Sequence, residues 1–206
     1  MPLSNFALDK FVAPALSKLS ACNAIDMTGF DDQCEHWVAN FVLNSMLRVD
    51  VQAPYRAYTF VFLRRAEMAF VEHDNARIAL QQYVSGGRGA ITLYLRAVFH
   101  FESFVAQSYQ ALEVIRKWTG EDLFKKRDGS VLDRLNLIYG RSKHADKAIA
   151  AGQLPPDATM PVWLTNDGLQ ADRAVLTYAD MADVLKELSS IATQLSNPKT
   201  LHQDSV

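Results

Sequence analysis

Two adjacent glycines, Gly86 and Gly87, split the middle of this chain into two long stretches of helical periodicity. From Tyr55 to about Tyr83, the residues Tyr58, Phe62, Ala66, Ala69, Phe70, His73 and Leu80 fall near one side of a helix. Pro54 stands at the entrance, where its fixed φ suits a first helical position and its missing N–H costs nothing. From about Ala90 to Trp118, Leu95, Val98, Glu102, Val105, Tyr109 and Leu112 recur at alternating steps of three and four, the period of a bundle seam. Glycines take positive φ without a steric cost, so the pair can end one helix and turn the chain back. The spacing predicts two long antiparallel helices.

The flanking patterns are shorter. Between Leu3 and Ser45 two modest helices are expected, separated by the turn-like stretch Asn23 to Asp32. Val12, Ala15, Leu16 and Leu19 mark the first, and Cys34, Trp37, Val38, Phe41 and Ser45 the second. Gly120 ends the second long helix, Glu121 to Ser130 forms a polar loop, and Val131 to about Ala150 reads as one further helix. Beyond Gly152 and the adjacent Pro155 and Pro156, Val162 to Thr165 precede Asn166-Asp167-Gly168, a turn that favours a small hairpin closing on Ala174 to Thr177. Thr177 with Asp180 forms a short acidic capping box opening a last helix, from Ala179 to about Leu195. The expected fold is all-α: a bundle of about six helices, with two long antiparallel members and a small β-hairpin before the last helix. It forms a single domain over 1–206, with N-terminal helices (1–50), a long-helix core (51–150), a loop and hairpin (151–178) and a C-terminal helix (179–196).

Several functions are excluded by what is missing. Arg64, Arg65 and Arg96 interrupt the most apolar stretches, so no membrane span is expected. Leu19-Ser20-Ala21-Cys22 resembles a lipoprotein cleavage box, but Pro14 and Lys18 break the apolar run that export needs. Cys22 and Cys34 form no C-x-x-C pair, which suits a reducing cytoplasm. None of the seven Glu has a His three residues later, and there is no His-Glu-x-x-His, Walker loop, Gly-x-Ser-x-Gly or dinucleotide fingerprint. Adjacent Cys34, Glu35 and His36 diverge around a helix and do not converge on one ion. No metal and no cofactor are expected. Gly86, Gly87 and Gly89 around Arg88 read as a turn, with a phosphate cradle as the alternative.

Charge is uneven along the chain although its net value is only -2. Between Arg116 and Lys147 nine basic residues face five acidic ones, whereas 148–206 carries three basic and seven acidic. A local basic cluster is what phosphate contacts draw on, and a solvated helix face is the alternative. Lys125, Lys126, Arg127 and Lys143 are the candidate nucleic-acid contacts. Within the cluster, Gly140-Arg141-Ser142-Lys143-His144 places a guanidinium and an imidazole within about 60° on a continuous helix, one able to neutralise a phosphate and the other to move a proton. Glu102, inside the apolar seam, needs a partner or a wet cleft. Arg141, Lys143, Arg134 or a tyrosine hydroxyl are the candidates. The catalytic candidates are thus His144, Arg141 and Glu102.

Paired long helices with a seam glutamate, followed by a loop and a helix carrying Leu135-Asn136 and Arg141-Ser142-Lys143-His144, resemble the HEPN superfamily over about residues 90–150. The resemblance implies an all-helical, dimerising domain of toxin–antitoxin or antiviral systems, whose active members cut RNA without metal. Those members carry Arg, four to six residues, then His. Counting back from His144, that arginine falls on Tyr139, Ile138 or Leu137, so the motif is not intact. The expected function is a HEPN-like homodimeric binding module holding RNA or a nucleotide phosphate. The alternatives are a metal-independent ribonuclease with His144 as base, or a scaffold without ligand.

Overall fold

The computed structural model describes residues 4–47, 53–86, 90–154, 158–172 and 174–196. Its centre is the expected hairpin, α4 (Tyr55–Ser85) and α5 (Ile91–Thr119). Contacts between Tyr83 and Tyr94, between His73 and Phe101, and between Tyr55 and Trp118 fix the two helices as antiparallel. Of the turn glycines, Gly86 caps α4; Gly87 and Gly89 lie outside the described residues, as does the Arg88 cradle.

The seam alternates steps of three and four on both helices. On α4 it runs through Thr59, Phe62, Ala66, Ala69, His73, Ala76, Leu80 and Tyr83. On α5 it runs through Tyr94, Ala97, Phe101, Phe104, Ser108 and Ala111. Alanines let the helices approach while the rings fill the layers between them, and each fully buried Phe contributes roughly 1.5–3 kcal/mol. Of the expected α5 positions, Val98, Val105 and Leu112 are buried, but Leu95 is 43% exposed and Glu102 and Tyr109 are half-buried, while Tyr94 is fully buried. The centre of the buried stripe thus lies one residue, or about 100°, from the expected one.

Before the hairpin, the first expected helix is confined to α1 (Asn5–Phe11). Pro14 cannot continue it, Ala15 takes φ 57°, and the chain re-forms only as a 3-10 turn at Leu16–Lys18. Leu16 and Leu19 are still buried, so the apolar pattern is used without the helix. The second expected helix is likewise divided, into α2 (Asp31–Cys34) and α3 (Trp37–Leu47).

After the hairpin come α6 (Val131–Lys143) and α7 (Ala145–Ala150), two helices where one was expected, broken at His144 with φ -114° and ψ 36°. A three-stranded antiparallel sheet follows: β1 (Trp163–Leu164), β2 (Gly168–Ala171) and β3 (Ala174–Thr177), in the order β1-β2-β3. The Asn166-Asp167 turn joins β1 to β2, with Leu164 opposite Leu169, not to Ala174–Thr177 as the sequence suggested. β3 pairs with β2, Leu169 opposite Leu176. At Gly168 the strands come so close that a Cβ would sit 2.1 Å from the Leu176 carbonyl oxygen, which only glycine permits.

The chain ends its described part in α8 (Tyr178–Ser196), opened by the expected box. Asp180 N–H donates to Thr177 Oγ1 at 3.0 Å, and Thr177 N–H donates back to Asp180 Oδ2 at 2.9 Å. α8 lies on α4, α3 and α5, the sheet lies on α6 and α8, and the buried side chains of all of them join one contiguous core. No helix among the described residues is long and apolar enough to cross a membrane.

Candidate functional site

α6 packs between α5 and the sheet, and its two edges carry different chemistry. On the α5 edge, Ser142 Oγ donates to Glu102 Oε1 at 2.8 Å. One turn back, Tyr139 stacks on Tyr109 at 4.1 Å and 17°, and Tyr109 stacks on Phe124 of the loop at 4.6 Å. Lys143 Nζ lies 5.5 Å from the Tyr139 ring centroid and adds a cation–π contact. On the sheet edge, Arg134 donates to Asp180 Oδ1 at 2.8 Å. Arg141 donates to Gln153 Oε1 at 2.7 Å and lies 3.8 Å from Asp172. Together with Leu137 these arginines line a groove of 340 Å³ against the β2–β3 turn.

The helical period explains this separation. Tyr139, Ser142 and Lys143 cluster on one side of α6, while Arg134 and Arg141, seven residues apart, share the other. The structure therefore brings Glu102 to the Arg141–His144 segment through Ser142, and turns Arg141 away from it. His144 is exposed and ends the helix, so it does not share a helical face with Arg141 as the continuous helix required. Burial raises the Glu102 carboxyl above its ordinary range, and the Ser142 bond opposes this in part. What results is a half-buried acid with a neutral donor, able to hold or release a proton at the α5–α6 edge.

The polar loop is built rather than loose. Ser130 caps α6 by accepting from Asp133 N–H at 3.1 Å, and the buried Asp133 carboxylate reaches back to the amides of Arg127 (3.1 Å) and Gly129 (3.3 Å). Arg127 takes φ 64°, and Lys125, Lys126 and Arg127 all face solvent on the resulting turn.

Some polar groups escaped sequence reasoning. Ser142, and none of Arg141, Lys143, Arg134 or a tyrosine hydroxyl, bonds Glu102; Glu102 and Tyr109 seven apart, and Tyr139 and Ser142 three apart, are the sequence signal of these two facing stripes. On the other flank of the hairpin His100 Nδ1 lies 2.6 Å from Glu72 Oε2, and Arg65 donates to Gln107 at 2.7 Å. His73 is fully buried, edge-on to Phe101 and Phe104, and among the described residues neither ring nitrogen has a hydrogen-bond partner. Burial lowers its pKa to about 4. Burial likewise pushes the Cys34 thiol up to about 12. No group of three or more His, Cys, Asp or Glu among the described residues is placed to share a metal ion.

Comparison with protein-family models, with characterised proteins and with solved structures finds no match to this chain.

Proposed function

We propose that the chain is a HEPN-like helical module that binds RNA or a nucleotide phosphate through the loop before α6 and the adjoining edge of that helix. The observation that carries this reading is the Asp133-anchored turn: it presents Lys125, Lys126 and Arg127 to solvent on backbone fixed by two amide–carboxylate bonds. Cations on a fixed turn lose less freedom when they meet a phosphate than cations on a mobile one. Lys143, over the Tyr139 ring at the far end of α6, is a further cation on that helix.

The module acts as a homodimer in this reading. The outer side of α4 carries Val61, Met68, Val71 and Ile78, each 37–49% exposed, at steps of seven, three and seven residues along one stripe of the helix. The free thiols Cys22 and Cys34 suit a reducing compartment such as the cytoplasm.

Fluorescence anisotropy with single-stranded RNA at two salt concentrations tests the binding reading. Replacing Lys125, Lys126 and Arg127 by Ser should weaken binding and flatten its salt dependence, while His144→Ala leaves affinity intact. Metal-independent cleavage that is lost in His144→Ala would instead favour the ribonuclease. An unchanged affinity in the triple variant would sink the binding reading.

A further inference from the structure

The last turns of α5, the start of α6 and the middle of α8 enclose a cleft of 390 Å³ beside the basic loop. Leu112, Val184 and Ile191 form its apolar floor, and the first two are only 4% exposed. Its rim carries Glu121, Asp183 and Glu187, all exposed. Among the described residues no lysine or arginine lines it. Compensation comes from Lys186, 2.9 Å from Asp183, and from Lys125 on the adjoining recess, which also holds Asp122 and Asp128. Surface pairs of this kind are weak, so the mouth keeps a negative potential.

An apolar floor under an acidic mouth selects for two properties at once. The floor rewards removal of an apolar body from water, and carboxylates at the edge of a low-dielectric wall attract a cation and repel an anion. The volume lies at the small end of the roughly 300–1,000 Å³ range of small-molecule sites, which fits one alkyl chain or ring and not a helix of a partner protein. The geometry points to a binding site for a small hydrophobic amine in its ammonium form, with its apolar body on Leu112, Val184 and Ile191 and its charge among Glu121, Asp183 and Glu187.

This site is independent of the phosphate reading, because its charge preference is the opposite one and none of its rim residues is basic. The test uses the full chain, with n-octylammonium as probe and octanol and octanoate as controls, followed by calorimetry and by amide chemical shifts. Octylammonium should bind most tightly, octanol more weakly and octanoate least, with shifts centred on Leu112, Val184 and Ile191. The triple variant Glu121→Gln, Asp183→Asn, Glu187→Gln changes only exposed side chains. It should keep the melting temperature and weaken octylammonium by about tenfold, to the level of octanol. Octanoate binding as well as octylammonium, shifts that map elsewhere, or a triple variant with unchanged octylammonium affinity would each overturn the assignment.

Discussion

Ser142 Oγ and Glu102 Oε1 meet at 2.8 Å, joining the centre of α5 to the end of α6 through a carboxyl that carries no basic partner in that bond. Because burial raises the Glu102 pKa, the folded chain holds this proton at pH values where the unfolded chain has released it. Stability from this group is therefore lost as pH rises from the ordinary carboxylate range through the raised folded value. Glu102→Gln keeps an acceptor for Ser142 and removes that dependence. It should raise stability near neutral pH by about 1 kcal/mol, and Ser142→Ala should lower it by a similar amount. Urea melts of both variants at pH 5 and pH 8 measure this, and a Gln variant less stable at pH 8 than the parent would contradict it.

His73 sets the opposite trend. Its folded pKa of about 4 lies below the ordinary histidine value, so between the two the unfolded chain binds a proton that the folded chain refuses. Stability from this source is present above pH 6.5 and declines towards pH 4, by at most about 1.4 kcal/mol per pH unit. His73→Phe, placed edge-on between Phe101 and Phe104, should flatten the acid side of the stability profile and leave the neutral value equal or higher. Thermal melts from pH 4 to pH 7.5 check it; an unchanged acid slope would refute the assignment to His73.

Asp133 holds the basic turn, so its loss should be felt twice. Asp133→Ala leaves the amides of Arg127 and Gly129 without their acceptor and should cost about 1–3 kcal/mol. Hydrogen exchange at those two amides should speed up well before the rest of α6 opens. Equal protection in variant and parent would show that the carboxylate is not what fixes the turn.

Gly168→Ala should be the most damaging exchange in the sheet. Its Cβ would meet Leu176 carbonyl oxygen at 2.1 Å and Thr177 Cα at 2.8 Å, both backbone atoms that cannot swing aside. A loss on the order of 3 kcal/mol or more is expected, read as a lower melting temperature with Leu169 and Leu176 exposed. A variant that melts with the parent would mean that β2 and β3 separate easily.

The hairpin, the last helix and its Thr177–Asp180 box were legible in the sequence because each depends on local spacing that nothing else in the fold disturbs. The register of α5 was not. Leu95 and Tyr94 are both apolar, and only the partner helix decides that the tyrosine turns inward against Tyr83. Pro14 announced the end of the first helix, but the continuing apolar spacing of Leu16 and Leu19 masked it. For the candidate site, Glu102 and the α6 segment were both visible as separate features. That Ser142 and not Arg141 would meet the carboxylate depended on how α6 turns between α5 and the sheet, and on the break at His144, neither of which is written in local spacing.

The side chain of Asn166 accepts from the amides of Ser20 and Ala21 and donates to the Lys18 carbonyl, while Asn23 donates to the Asn166 carbonyl. The stretch after the first helix is thus satisfied by a turn that lies nearly 150 positions later in the chain. Until that turn exists, those amides can be satisfied only by water. The stretch from Lys18 to Asn23 therefore takes its final bonds only after a turn made much later in the chain is in place.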